Sequence, residues 1–286
     1  MQRWKSIHQI TRRRAAVCLA GIALAVGVCF CLAGCSGEEQ DKQPSAEPTM
    51  TNAPEAEATL QPTPTTQEGR PWAFLGTRRI GTAFPPADLD LYRSLLPKQF
   101  DMPDQPMVVM YIADYYEVTL PLVPYREGIV WLKCDYQGRT GWYTYTMPVD
   151  DDTARAMGRA MGFNKYEADQ ITLEEQDGGW TGRVVYQGRT VMEITFTATG
   201  EPVSKTNGGE AAALFTLVPP GEGPTVAETN QSFSGELTTA TTSGSATAKA
   251  DAAEPWAGLL NPGGSTVWAV FEEVTGDYTL EFKELK

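Results

Sequence analysis

Residues 36–69 contain no aromatic side chain, and Pro, Thr, Glu, Gln and Ala dominate the stretch. Pro44, Pro48, Pro54, Pro62 and Pro64 recur along it. A segment of this kind has too little apolar surface to offset the entropy lost on ordering, so it reads as a solvated tether. Flexible-chain scaling gives it a root-mean-square span of roughly 30 Å, lengthened where proline stiffens it. Composition changes abruptly at Arg70-Pro71-Trp72. Whatever folds is therefore built from residues 71–286, about the length of one large domain.

The stretch ahead of the tether has another character. Arg3, Lys5, Arg12, Arg13 and Arg14 precede an almost wholly apolar run over residues 15–32, with no acidic residue among them. A basic start, an apolar middle and a small-residue finish make a secretory signal. The run closes on Leu32-Ala33-Gly34-Cys35, which resembles the lipobox of bacterial lipoproteins. The resemblance implies a signal peptide over 1–34, lipid on the Cys35 thiol, and a tether over 35–70. It also implies that a domain over 71–286 is held at the extracytoplasmic face of the bacterial cell membrane. An uncleaved anchor is the alternative, since the run is nearly long enough to span a bilayer.

Loss of residues 1–34 removes five of 23 basic residues and none of 36 acidic ones, leaving 18 against 36, a formal charge of −18. That balance disfavours nucleic acid, whose phosphates need clustered Lys and Arg. It equally disfavours docking on anionic lipid, so membrane attachment falls to the lipid on Cys35. The only histidine, His8, leaves with the signal, which excludes Ser-His-Asp and Cys-His pairs and any His-ligated metal. Cys18, Cys29 and Cys31 leave too, and lipid consumes Cys35. Cys134 then stands without a disulfide partner, and its place at the end of the run 129–134 marks a small core residue.

Most of the domain reads as strand. Residues 107–113, 116–123, 129–136, 142–147, 182–186, 191–197, 212–218, 232–241, 267–274 and 278–282 are rich in Val, Thr, Tyr, Trp and Phe. Tyr-Gln-Gly-Arg-Thr occurs at 136–140 and again at 186–190. The flanks differ, so shared hairpin-turn chemistry explains the repeat better than duplication. Gly276-Asp277 predicts a further hairpin turn. A helix is expected over 86–96, with Leu89, Tyr92, Leu95 and Leu96 at helical spacing and Pro97 as its stop. A second is expected over 151–161, capped by its leading carboxylates and ended by Gly162. The fold class is α+β, mostly antiparallel β, closed or strongly curled, with a few helices.

The second helix closes on Gly158-Arg159-Ala160-Met161-Gly162-Phe163-Asn164-Lys165. This element resembles the acetoacetate decarboxylase family, whose members carry Gly-Arg-Glu followed shortly by Gly-Phe-Pro-Lys-Lys or a close variant. Met147-Pro148-Val149-Asp150 is similar to the family's lead-in. The resemblance implies an acetoacetate-decarboxylase-like barrel and puts Lys165 on the lysine that forms a Schiff base with the substrate ketone. Through Tyr115-Tyr116-Glu117 it makes Glu117 the pocket carboxylate and acid/base. It assigns Arg78, ahead of Leu95-Leu96-Pro97, to the anion-orienting arginine, with Arg79 as its substitute, and gives Arg159 an orienting or tuning role. Asn164 stands for the family's proline, Tyr166 for the second lysine and Ala160 for the glutamate. These departures imply loss of an adjacent cation and of a pocket carboxylate.

A lysine amine attacks a carbonyl only when unprotonated, against an ordinary pKa of about 10.4. Apolar surroundings or a neighbouring cation favour the neutral form. Phe163 and Tyr166 are candidates for the first and Arg159 for the second. A protonated imine is an electron sink that permits decarboxylation, aldol cleavage or proton exchange, with no metal and no cofactor. Two principal readings result. One is a Schiff-base lyase acting on a small oxo acid or ketone. The other is a surface lipoprotein that captures a small ligand in the same pocket without turnover. An envelope structural module is a third, favoured by a solvent-facing Lys165.

Overall fold

Long strands with one apolar face must close on one another or be covered, and this chain does both. The computed structural model describes residues 72–206, 213–221, 223–233, 235–261 and 266–286. The signal, Cys35 and the tether lie outside the described residues.

Strands β1 (Phe74–Phe84), β2 (Val108–Val118), β3 (Tyr125–Tyr136) and β4 (Arg139–Val149) pair in chain order as antiparallel neighbours. After β5 (Lys165–Glu167), β6 (Gln170–Gln176), β7 (Gly179–Tyr186), β8 (Arg189–Ala198) and β9 (Val203–Thr206), the chain returns to this group. There β10 (Leu214–Val218) joins β4 in parallel and pairs with β11 (Thr225–Phe233). The long β13 (Trp268–Glu284) pairs with β11 on one side and with β1 on the other, which closes a barrel. Between them, β12 (Thr238–Ala250) pairs with β13 and β9 through its first half and with β8 through its second. The β12-β8-β7-β6 layer thereby becomes a second sheet against the outside of the barrel.

Period-two alternation assigns each barrel strand an outer and an inner face. On β2 and β3, Met110, Ile112, Val130 and Leu132 point outward and meet Ile171, Val184, Met192, Ile194 and Phe196 of the second sheet. Each of these side chains contributes about 1.5–3 kcal/mol by leaving water. The alternate residues Tyr111, Ala113, Tyr115, Tyr125 and Ile129 point inward and build the barrel interior. Helix α1 (Leu89–Leu95) starts where the Asp88 carboxylate accepts the Leu91 N–H at 2.8 Å. Helix α2 (Asp152–Ala160) starts where Asp151 accepts the Ala154 N–H at 2.7 Å. The Asp151 cap was expected; the Asp88 cap was not, and α1 begins there and not at Pro86.

Both copies of Tyr-Gln-Gly-Arg-Thr are two-residue hairpin turns, with Gln137-Gly138 and Gln187-Gly188 at positive φ. The expected turn at Gly276-Asp277 is absent. Residues 268–274 and 278–282 belong to the single strand β13, and Gly276, at φ 129°, lies opposite a register shift beside Phe74 and Gly76. A bulge and a turn share the same glycine requirement, so composition does not separate them. The expected strand over 232–241 divides into the end of β11 and the start of β12. Strand β1 carried no clear period, because Gly76, Arg78, Arg79 and Gly81 interrupt its apolar residues.

Cys134 is buried and free, and burial pushes its thiol up to about 12. Since the thiolate is the reactive form, Cys134 in the folded protein should resist iodoacetamide between pH 7 and pH 9. Urea should release rapid labelling of Cys134, located by peptide mapping.

Candidate active site

Strand parity decides which groups meet inside the barrel. β5 runs parallel to β4 with Lys165 opposite Met147, a residue of the inner face, so the Lys165 side chain enters the interior. It is 5% exposed. Its aliphatic stem lies against α2, where a Cβ on Gly158 would come within 2.5 Å of Lys165 Cδ and Cε. Only glycine at 158 leaves that passage open. Arg159 Nη1 donates to the Lys165 carbonyl at 3.1 Å and fixes the backbone from outside.

The Lys165 amine meets Glu127, whose Oε2 accepts from Nζ at 2.6 Å. Glu127 is 3% exposed, and its Oε1 accepts the Tyr115 hydroxyl at 2.7 Å. Tyr115 stacks on Tyr125 with ring centroids 4.7 Å apart, and Nζ lies 5.3 Å from the Tyr125 centroid. Burial, then the charge of Glu127, holds the Tyr115 phenol well above its ordinary value, so it keeps its proton and acts as a donor. Arg79 also faces inward, with Nε donating to Glu272 at 2.8 Å and the guanidinium 4.6 Å over the Tyr111 ring. Burial acts to lower its pKa, but Glu272 and the nearby tyrosines outweigh that and hold the guanidinium charged.

Lys165, Glu127, Tyr115, Tyr125 and Arg79 line one cavity, walled otherwise by Trp72, Phe74, Leu122, Ile129, Met157 and Phe163. Its volume is about 70 Å³. At roughly 10–15 Å³ per water, that is room for about five to seven non-hydrogen atoms.

Three sequence candidates lie elsewhere. Glu117 is exposed near the end of β2, beyond a bulge, and the carboxylate beside Lys165 is Glu127. Arg78 points outward to Asp114 at 2.8 Å and lies 5.4 Å from the Trp180 ring, while its neighbour Arg79 takes the inward position. Arg159 is exposed and touches the backbone of Lys165, not the cavity. The departures from the family motif also fall outside the cavity. Tyr166 alternates to the far side of β5 and packs edge-on against Tyr186 at 4.8 Å, so a lysine there would add no cation beside Nζ. Ala160 is exposed on α2, and Asn164 donates to the Tyr145 carbonyl at 2.8 Å. A carboxylate in phase with the inward residues Tyr125, Ile129 and Trp131 was the available signal for Glu127.

Removing one partner of a buried ion pair strands the other. Lys165→Met should therefore cost about 3–5 kcal/mol in urea unfolding. The double variant Lys165→Met/Glu127→Gln should recover more than half of that loss.

The sequence model of acetoacetate decarboxylase matches residues 58–261. A search of curated protein sequences finds no match. Among solved structures, the chain is similar to acetoacetate decarboxylase from Legionella pneumophila, at 19% identity and TM-score 0.63, covering 76% of this chain and 88% of that one. It is similar to the enduracididine biosynthesis enzyme MppR complexed with pyruvate, at 15% identity and TM-score 0.59, covering 82% and 95%. An acetoacetate decarboxylase-like enzyme from Sphingomonas wittichii matches at 17% identity and TM-score 0.58, covering 75% and 92%. At these identities the structural likeness is one of fold, while the sequence model spans well over half of the chain. The chain belongs to the acetoacetate decarboxylase family.

Proposed function

We propose that the protein is a lipid-anchored, extracytoplasmic lyase that joins Lys165 to the ketone of a short oxo acid as a Schiff base and decarboxylates it. The observation that carries the proposal is a buried lysine amine held 2.6 Å from Glu127 inside a small cavity with largely apolar walls. In this reading Glu127 takes a proton from Nζ, and the freed lone pair adds to the carbonyl carbon. The carbinolamine oxygen leaves as water, using that proton, to give the protonated imine. The bond to the carboxylate then breaks, its electron pair moves into the imine, and carbon dioxide departs. Glu127, reprotonated from solvent, delivers a proton to the enamine carbon, and water hydrolyses the resulting protonated imine to release the ketone and the Lys165 ammonium. Arg79 attracts the substrate carboxylate through its terminal N–H groups while Glu272 holds its Nε. MppR has been captured with pyruvate, an oxo acid of the size this cavity admits. Attachment at Cys35 is supported by Leu32-Ala33-Gly34-Cys35 and by the tether behind it.

The Lys165–Glu127 contact also favours a second reading. An ammonium kept in that pair binds an anion without attacking it, and the domain then captures a small acid without turnover.

Carbon dioxide release from acetoacetate and other short 3-oxo acids tests the first reading. It should be lost in Lys165→Gln and fall about 10²–10⁴-fold in kcat in Glu127→Gln. Release that survives in Lys165→Gln contradicts the mechanism. Ligand-induced thermal stabilisation without release in the wild type supports capture. Metabolic labelling with a radioactive fatty acid should mark the wild-type protein and not Cys35→Ser.

A further inference from the structure

A second cleft lies on the outside of the barrel, across β5 from the Lys165 cavity. It opens between the end of α1, strand β4, the turn after β10 and residues 254–256, and its volume is about 550 Å³. That is ample for a small molecule. Lys165 enters the barrel, while its chain neighbours Asn164 and Tyr166 both line this cleft. Both are positions at which the chain leaves the family's Gly-Phe-Pro-Lys-Lys motif. On β4, Thr146 stands across from Val130 and Thr144 across from Trp131, so Tyr145 is the extra residue of a bulge. A bulge re-aims side chains, and Tyr143, Tyr145 and Thr146 all border the cleft. The Asn164 amide holds the bulge by donating to the Tyr145 carbonyl at 2.8 Å.

Among the described residues that line the cleft, Glu254 is the one carboxylate, and there is no lysine or arginine. The Glu254 side chain is 16% exposed, and the Trp256 indole N–H donates to it. Arg189 lies 3.8 Å from Glu254 but 3.0 Å from Asp251, so one guanidinium serves two carboxylates and a negative charge is left over. Burial, with Asp251 behind it, outweighs Arg189 and holds the Glu254 carboxyl above its ordinary value. Burial, then the charge of Glu254, raises the Tyr145 and Tyr166 phenols as well, so both keep their protons. A part-buried carboxylate short of a cation, set among aromatic rings, is what an ammonium ion completes. The family's second lysine would bring such an ion into this cleft, and Tyr166 supplies a ring in its place. We propose that the outer cleft binds a small organic ammonium ion, its charge against Glu254 and its alkyl part against Tyr145, Tyr166 and Trp256. An anion is repelled here, and a neutral sugar gains nothing from the unmet charge. The cleft and the Lys165 cavity share no lining residue, so the assignment is independent of the oxo-acid reading.

Choline serves as the probe, and 3,3-dimethylbutanol, of the same shape without the charge, as its control. Titration calorimetry on the full chain at low salt should show choline bound about tenfold more tightly than the alcohol. Glu254→Gln, which keeps an acceptor for the Trp256 indole, should lose most of that preference. Tyr166→Lys should lose it too, because a tethered ammonium then takes the place of the free one. Glu127→Gln, in the barrel cavity, should leave it intact. Equal affinity for the two probes in the wild type overturns the proposal, as does a preference that survives in Glu254→Gln. A preference lost in Glu127→Gln but kept in Glu254→Gln puts the ammonium inside the barrel and overturns it too. If Glu254→Gln does not fold, Tyr166→Lys decides, and a preference that survives there contradicts the assignment. Binding of N-acetylglucosamine without binding of choline replaces the ammonium by a sugar and likewise overturns it.

Discussion

Two opposite charges 2.6 Å apart in the interior of a barrel can exist only if the protein around them is built to hold them. Desolvating each ion costs several kcal/mol, and the pair recovers that only with good geometry and with its remaining hydrogen-bonding capacity used. Here the second oxygen of Glu127 is taken by Tyr115, and Tyr115 is in turn stacked on Tyr125. The lysine stem needs the bare backbone of Gly158 beside it, and its own carbonyl is tied to Arg159. Closure of the barrel by β13 onto β1 supplies the remaining cation, since it sets Glu272 across from Arg79. The site is thus a property of the whole ring of strands and not of one loop.

The barrel has two faces with different tasks. Its outside is covered by the second sheet and by α1, where the largest continuous apolar core lies. That arrangement leaves the interior free to hold a cavity, polar groups and aromatic walls that a tightly packed interior would exclude. Stability comes chiefly from the outer core, and the candidate site lies inside.

Lys165 was legible locally, through the family motif, and most of the groups around it were not, for reasons of range. Lys165 was singled out because the motif that carries the family resemblance, Gly158-Arg159 with Gly162-Phe163, lies within seven residues of it in the sequence. Glu127 is 38 residues away and meets Lys165 only through strand register, which no local pattern states. Arg78 and Arg79 show how a one-residue offset in a strand exchanges solvent for cavity. The same parity removes the apparent defect at Tyr166, whose side chain never faced the lysine. The β-rich fold class followed from strand-forming composition and turn chemistry, and the α2 cap from its leading carboxylates, all of which act over a few residues. Strand β1 did not, because two glycines and two arginines masked its period.

The account stands on one claim, that the amine of Lys165 reaches a bound ketone as a nucleophile. Borohydride reduction in the presence of short oxo acids, followed by intact mass and peptide mapping, addresses it directly. The account predicts one reduced adduct, confined to Lys165 and absent from Lys165→Gln. A folded protein that gives no adduct from neutral to alkaline pH, or one spread over surface lysines, would contradict it.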